Sequence, residues 1–163
     1  MNAEKLTQKS AEAIRSAQEI ALEYGNPQIE QVHLLWALLQ DSEGLIPQLL
    51  AGMGVTVPSL QAAVKDLLAR QPRVSNSGHE AGKIYISGDT EKALNRAEKV
   101  AGEMKDEYTS VEHLLLGLLD TAGRELAQLF SQYQITRERA LQALSGVRGN
   151  QRVTSDNPEE TYG

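Results

Sequence analysis

The residues with most chemical promise are three histidines, one glycine-lysine loop and the carboxylates near them. Gly78-His79-Glu80-Ala81-Gly82-Lys83 has the outline of a phosphate cradle. A Walker-type loop needs four residues between its glycines and a Ser or Thr after its lysine, so that backbone N–H groups wrap the phosphates and the hydroxyl reaches a magnesium ion. Here only three residues separate Gly78 from Gly82, and Ile84 follows Lys83. Nucleotide binding by this chain is not expected, and the segment reads as a flexible linker. Glu30 and His33 have the Glu-x-x-His spacing that puts two metal ligands on one helix face in di-iron bundles. Such centres need the motif twice, plus a Glu from two other helices. Around His113 the matching position is Ser110, so the second motif is broken. A helix-packing histidine is the better account of His33, and no metal or other cofactor is expected. His33, His79 and His113 lie far apart, there is no Cys, and no nucleophile with its base is legible. Triads assemble in space, so this weighs against an enzyme without excluding one.

An internal repeat organises the elements that hold these residues. His33-Leu34-Leu35 returns as His113-Leu114-Leu115, and Leu38-Leu39 returns as Leu118-Leu119, an offset of 80 residues. The offset holds without gaps from Ala13, Ala17 and Ala21 (Ala93, Ala97, Ala101) to Leu49, Val55 and Thr56 (Leu129, Ile135, Thr136). Within each copy the apolar period is helical. Leu6 to Tyr24 is helix one, with Gly25 as its stop; Val32 to Leu39 is helix two; Leu45 to Met53 is helix three, stopped at Gly54. Thr56 caps helix four, which runs to about Ala69. The second copy repeats this from Asp89 to Val147, though its third helix, Arg124 to Tyr133, lacks the glycine stop. Thr109-Ser110-Val111-Glu112 reads as a capping box, with Thr109 at the N-cap and Glu112 at N3. Trp36 matches Leu116, a slot for any large apolar side chain. The expectation is an all-α, pseudo-twofold double repeat of four-helix units with about eight helices. Repeat one covers about 7–68 and repeat two about 87–147. Residues 71–86 form the linker, with Ile84, Tyr85 and Ile86 partly ordering it. The apolar period ends near Gly146, so 148–163 reads as an exposed, flexible linker.

Composition narrows the partners. Sixteen basic against 22 acidic residues give a net charge of −6, which argues against a nucleic-acid backbone. Apolar residues make up 40% and aromatic ones only 4%, so Ala and Leu carry the core of a helical domain. No disulfide scaffold is possible, and a cytoplasmic location is expected. Met1 to Ser10 shows no signal-peptide pattern, and the apolar run Val32 to Leu39 is far short of the ~20 residues of a membrane span. A soluble, non-membrane protein is expected.

The segments Leu6-Thr7, Glu23-Tyr24-Gly25, His33-Leu34-Leu35-Trp36-Ala37-Leu38-Leu39 and Glu112-His113-Leu114-Leu115 together resemble the Clp N-terminal repeat domain. The tail Val147-Arg148-Gly149-Asn150-Gln151-Arg152-Val153-Thr154, continuing to Asn157-Pro158-Glu159-Glu160, resembles the ClpB-type branch of AAA+ protein disaggregases. The resemblance implies a mobile, non-catalytic recruiting domain, joined by 148–163 to a first ATPase module absent from this chain. It further implies a homohexameric parent that uses ATP and works with the DnaK chaperone system on misfolded or aggregated polypeptides. An adaptor-docking N-domain of a ClpA- or ClpC-type protease unfoldase is the alternative on the same scaffold. A small helical metalloenzyme is a third reading, which a metal assay separates. The resemblance also carries polar residues tied to aggregate handling onto Thr7, Asp106 and Glu112. The repeats are expected to meet along their first two helices, with a client-binding seam of Thr7, Leu94, Ala97, Asp106, Glu112 and His113. Each polar residue also has a structural reading: Thr7 in a first turn, Asp106 in a turn, and Glu112 as the capping carboxylate.

Overall fold

The computed structural model describes residues 1–74 and 84–158. The glycine-lysine loop and His79 lie outside the described residues, as do 159–163. After a short 3-10 turn, Ala3–Lys5, repeat one contains α1 (Gln8–Glu23), α2 (Gln31–Leu39), α3 (Leu45–Gly52) and α4 (Val57–Ala69). Repeat two contains α5 (Gly88–Glu103), α6 (Val111–Thr121), α7 (Arg124–Gln132) and α8 (Arg137–Arg148). The starts of α1, α2, α4 and those of α5, α6, α8 differ by the 80 residues of the repeat.

The local reasons repeat as well. Thr7 caps α1 by accepting the N–H of Ser10 at 3.2 Å, and Ser87 caps α5 by accepting that of Thr90 at 3.2 Å. α1 and α3 are each followed by a left-handed residue, Gly25 (φ +66°) and Gly54 (φ +80°). Repeat two makes the same turns with Lys105 (φ +61°) and Gln134 (φ +56°), which shows how the chain stops without the expected glycine. The reversing hydrogen bonds are preserved: Asn26 to Ala21 and Asp106 to Ala101 after the first helices, Val55 to Leu50 and Ile135 to Phe130 after the third.

α2 and α6 lie at the centre. Each is buried almost all round, as a helix packed on several sides must be. α6 touches α1, α2, α3, α5 and α8, so the seam between copies is part of one core. Where α6 crosses α5, Gly117 lies against the backbone of Ala93 and Ala97, an approach that any Cβ would block.

Two short parallel pairings stitch the copies crosswise. Strand β1 (Gln28–Ile29), just before α2, pairs with strand β2 (Tyr85–Ile86), just before α5. Leu6, just before α1, bridges Thr109, just before α6, in the same parallel sense. Each copy thus lends its leading residues to the other. The order expected of Tyr85 and Ile86 is explained by this pairing.

The segment after α8 differs from the sequence expectation. α8 runs to Arg148, and residues 149–158 lie against the domain, with Val153 fully buried and Pro158 buried. An apolar count over the segment misses this, because Val153 and Pro158 anchor it and backbone hydrogen bonds do the rest.

Candidate functional site

The polar centre of each repeat is built around the histidine in the first turn of its second helix. In repeat one, Nδ1 of His33 accepts the N–H of Glu30 at 2.8 Å, closing a capping box at the start of α2. Nε2 of His33 meets Asn26 Oδ1 at 2.7 Å, and Asn26 Nδ2 donates to the carbonyl of Pro72 at 2.9 Å. Both ring nitrogens of His33 are therefore engaged, and Glu30-x-x-His33 is a helix cap in this fold. Among the described residues, no three His, Cys, Asp or Glu side chains are grouped to hold a metal ion.

In repeat two the scaffold is the same and the chemistry is charged. Nδ1 of His113 accepts the N–H of Ser110 at 2.9 Å, and Nε2 meets Asp106 Oδ2 at 2.7 Å. Asp106 Oδ1 takes Arg148 Nη2 at 2.6 Å and the N–H of Val153 at 2.9 Å. Arg148 also reaches Glu112 Oε2 at 3.4 Å and the carbonyl of Gln151 at 3.0 Å. The side chains of Asp106, Glu112 and Arg148 are 0%, 1% and 3% exposed, so these charges depend on one another. Burial alone would raise the Asp106 carboxyl; hydrogen bonds from His113, Arg148 and the Val153 N–H outweigh it and bring the pKa down to about 2. Burial pushes His33 the other way from its ordinary value, from 6.5 down to about 4.

All six residues expected at a client-binding seam are buried. Thr7 caps α1. Ala97 lies under Gly117. Leu94 lines a narrow, mostly apolar crevice of about 10 Å³ with Ile14, Ala17, Ile29, Leu34, Ile86 and Thr90, too small to admit a large side chain. The apolar floor expected there is already filled by the protein. Asp106, Glu112 and His113 belong to the ionic centre, not to an exposed rim. The capping box of α6 is also corrected by one residue: Ser110 is the N-cap and His113 is N3, so Glu112 is not the capping carboxylate. Thr109 is held instead by the crossed pairing with Leu6.

Arg148 was not expected, although the repeat carries a signal for it. Its counterpart at the 80-residue offset is Leu68, and that of Glu112 is Val32. Two opposite charges in slots that are apolar in the other copy point to a buried pair.

One open groove, of about 550 Å³, lies between α1, the α2–α3 turn and the start of α6; another, of about 500 Å³, lies between α3 and α8. Ala13, Ala37, Leu38, Leu45, Ile46 and Val111, themselves largely buried, show the first groove the apolar edges that remain exposed. Lys9, Glu12, Asp41 and Glu43 also line it, with Lys9 and Asp41 paired at 3.3 Å. The corresponding place in repeat two is a smaller open pocket of about 180 Å³, lined by Gln31, Asp89 and residues 123–126, with side chains crossing beside it. Arg96, the counterpart of Ser16, reaches Asp120, the counterpart of Gln40, at 2.7 Å. Gln31, the counterpart of Val111, donates to Asp89 O at 2.9 Å and accepts from the Gly123 N–H at 2.9 Å.

Comparison with known proteins adds the following. Residues 5–133 match the Clp repeat (R) N-terminal domain family. The chain is 43% identical over 162 residues to the chaperone protein ClpB of Bacillus anthracis, covering 99% of this chain but 19% of that protein. It therefore spans about a fifth of the length of that relative. Its fold is similar to the Hsp104 N-terminal domain of Candida albicans, with a TM-score of 0.83, 22% identity, and coverage of 95% and 99% of the two chains. A complex of a ClpV N-domain with a VipB peptide is similar at a TM-score of 0.66 and 19% identity, covering 96% and 91%.

Proposed function

The chain belongs to the family of Clp repeat N-terminal domains, and from that premise we propose that it is the recruiting module of a ClpB-type ATP-dependent chaperone. It binds exposed apolar segments of misfolded or aggregated polypeptides, which the ATPase rings of the parent then thread. The parent acts as a homohexamer with the DnaK system, and this domain contributes binding, not catalysis.

The observation that carries this reading is the groove at α1. It is about 550 Å³ in repeat one against about 180 Å³ at the matching place in repeat two, where Arg96 and Gln31 stand in place of Ser16 and Val111. Its floor removes apolar side chains from water at about 25 cal/mol per Å², less the cost of association, which suits a recruiter that must release what it catches. Glu12, Asp41 and Glu43 outnumber Lys9 there, so the groove favours clients with Lys or Arg beside the apolar segment. That preference acts on encounter more than on affinity, and salt weakens it. The fold neighbour that holds a peptide is consistent with a peptide-sized partner for this scaffold. An adaptor-docking module uses the same scaffold; the ClpB relative favours the client-binding reading.

The test copies repeat two onto repeat one. Ser16→Arg with Gln40→Asp rebuilds the Arg96–Asp120 crossing over the groove. Anisotropy of a labelled, permanently unfolded client should show at least about tenfold weaker capture, which is ~1.4 kcal/mol. Unchanged capture by the folded variant rejects the groove.

A further inference from the structure

We infer that Asp106, Glu112 and Arg148 are the latch of a strap, residues 149–158, and that their part in function is to fix where the chain leaves the domain rather than to touch a client. The strap is held chiefly through its backbone. Arg148 Nη2 donates to Gln151 O at 3.0 Å, Val153 N–H donates to Asp106 Oδ1 at 2.9 Å, and Glu107 N–H donates to Val153 O at 2.7 Å. Further along, the N–H of Gln8 at the start of α1 donates to Asp156 O at 2.8 Å. Gln151, Arg152, Thr154, Ser155 and Asp156 are exposed, and Val153 is the main apolar anchor. With so little apolar area, docking depends on the hydrogen bonds, and the first two of these run through the ionic centre.

Repeat one shows what a latch without charge looks like. There Asn26 Nδ2 holds Pro72 O, Val74 N–H donates to Gly25 O, and the counterparts of Glu112 and Arg148 are Val32 and Leu68. Glu112 anchors the side of Arg148 turned away from Asp106, so removing either acid loosens the guanidinium that grips Gln151. Release of the strap would add ten residues of free chain, a reach of about 33 Å. The inference does not rest on the client-binding reading.

The chain has no Cys, so one introduced thiol reports one position. A nitroxide at Ser155→Cys reads the strap, and one at the exposed Lys65→Cys in α4 serves as reference. The decisive variant is Asp106→Asn/Glu112→Val/Arg148→Leu, which gives repeat two the residues of repeat one. Motion at 155 should be slow in the parent sequence and about fivefold faster in the variant, on the nanosecond scale of a freed segment. Position 65 and capture of the unfolded client should stay unchanged. Fast motion at 155 in the parent sequence overturns the strap. Slow motion in the folded variant overturns the latch, as does lost capture with unmoved strap dynamics. Should the triple variant fail to fold, Asp106→Asn alone is judged by the same criteria.

Discussion

The two repeats solve one problem differently. Each must tie the histidine of its second helix to the chain leaving its fourth helix. Repeat one does it with a neutral amide, Asn26, between His33 and Pro72. Repeat two does it with Asp106, which joins His113, Arg148 and Val153, and Arg148 adds Glu112. The helices around both junctions begin at matching positions, so packing does not demand the charges. A buried ion pair is a poor source of net stability and a strong penalty when half of it is removed. That asymmetry suits a junction that must be either fully engaged or plainly open, and it separates the expected behaviour of the two copies.

The largest effect is expected where the pairing is left incomplete. Arg148→Leu alone removes the cation that pairs buried Asp106 and Glu112, leaving Asp106 to His113 and the Val153 N–H, and should cost about 3–5 kcal/mol in chemical denaturation. A loss below ~1 kcal/mol would mean that water reaches the centre and the contrast is smaller than the structure shows.

Acid should next divide the copies. His33 takes up a proton near 6.5 when unfolded and only near 4 when folded. Between those values the unfolded state binds more protons, so stability falls as pH drops, by about 3 kcal/mol across the window. Asp106 keeps its full contribution above its ordinary 3.8 and loses it only as pH falls toward 2. Denaturation midpoints should therefore fall from pH 7 to 4, and His33→Gln should flatten the slope.

A smaller effect concerns the turns. Gly25→Ala should cost about 1 kcal/mol because φ is +66° there. Lys105→Gly, at φ +61°, should gain somewhat less, since glycine also loosens the unfolded chain. Thermal melts of the two variants check this, and equal losses at both sites would break the equivalence of the turns.

The smallest change is expected for the triple variant that makes repeat two apolar. With the charges removed together, its stability should stay within about 1 kcal/mol of the parent sequence, read by urea denaturation.

Helices and repeat were legible because apolar spacing and the 80-residue offset report burial directly. Gly25 and Gly54 marked two turns truly, while Lys105 and Gln134 hid the other two, because tertiary packing imposed the left-handed residue there. The capping box slipped by one at α6 because Thr109 and Ser110 both offer hydroxyls, and the crossed pairing that claims Thr109 is nonlocal. The burial of Asp106, Glu112 and His113 in one ionic centre is not legible in the sequence. Carboxylates read singly look solvated; their partner Arg148 is 42 residues from Asp106. Only a comparison of the copies slot by slot exposes the pair.

The crossed pairings set a condition on synthesis. Leu6 finds its partner only when Thr109 exists, and Ile29 waits for Ile86. A nascent first repeat therefore cannot finish its own edge on the ribosome. At ~5–20 residues per second, the hundred or so residues between Leu6 and Thr109 leave that edge unpaired for roughly 5–20 s. A module proposed to bind exposed apolar segments passes through a stage with its own edge unpaired while it is being made.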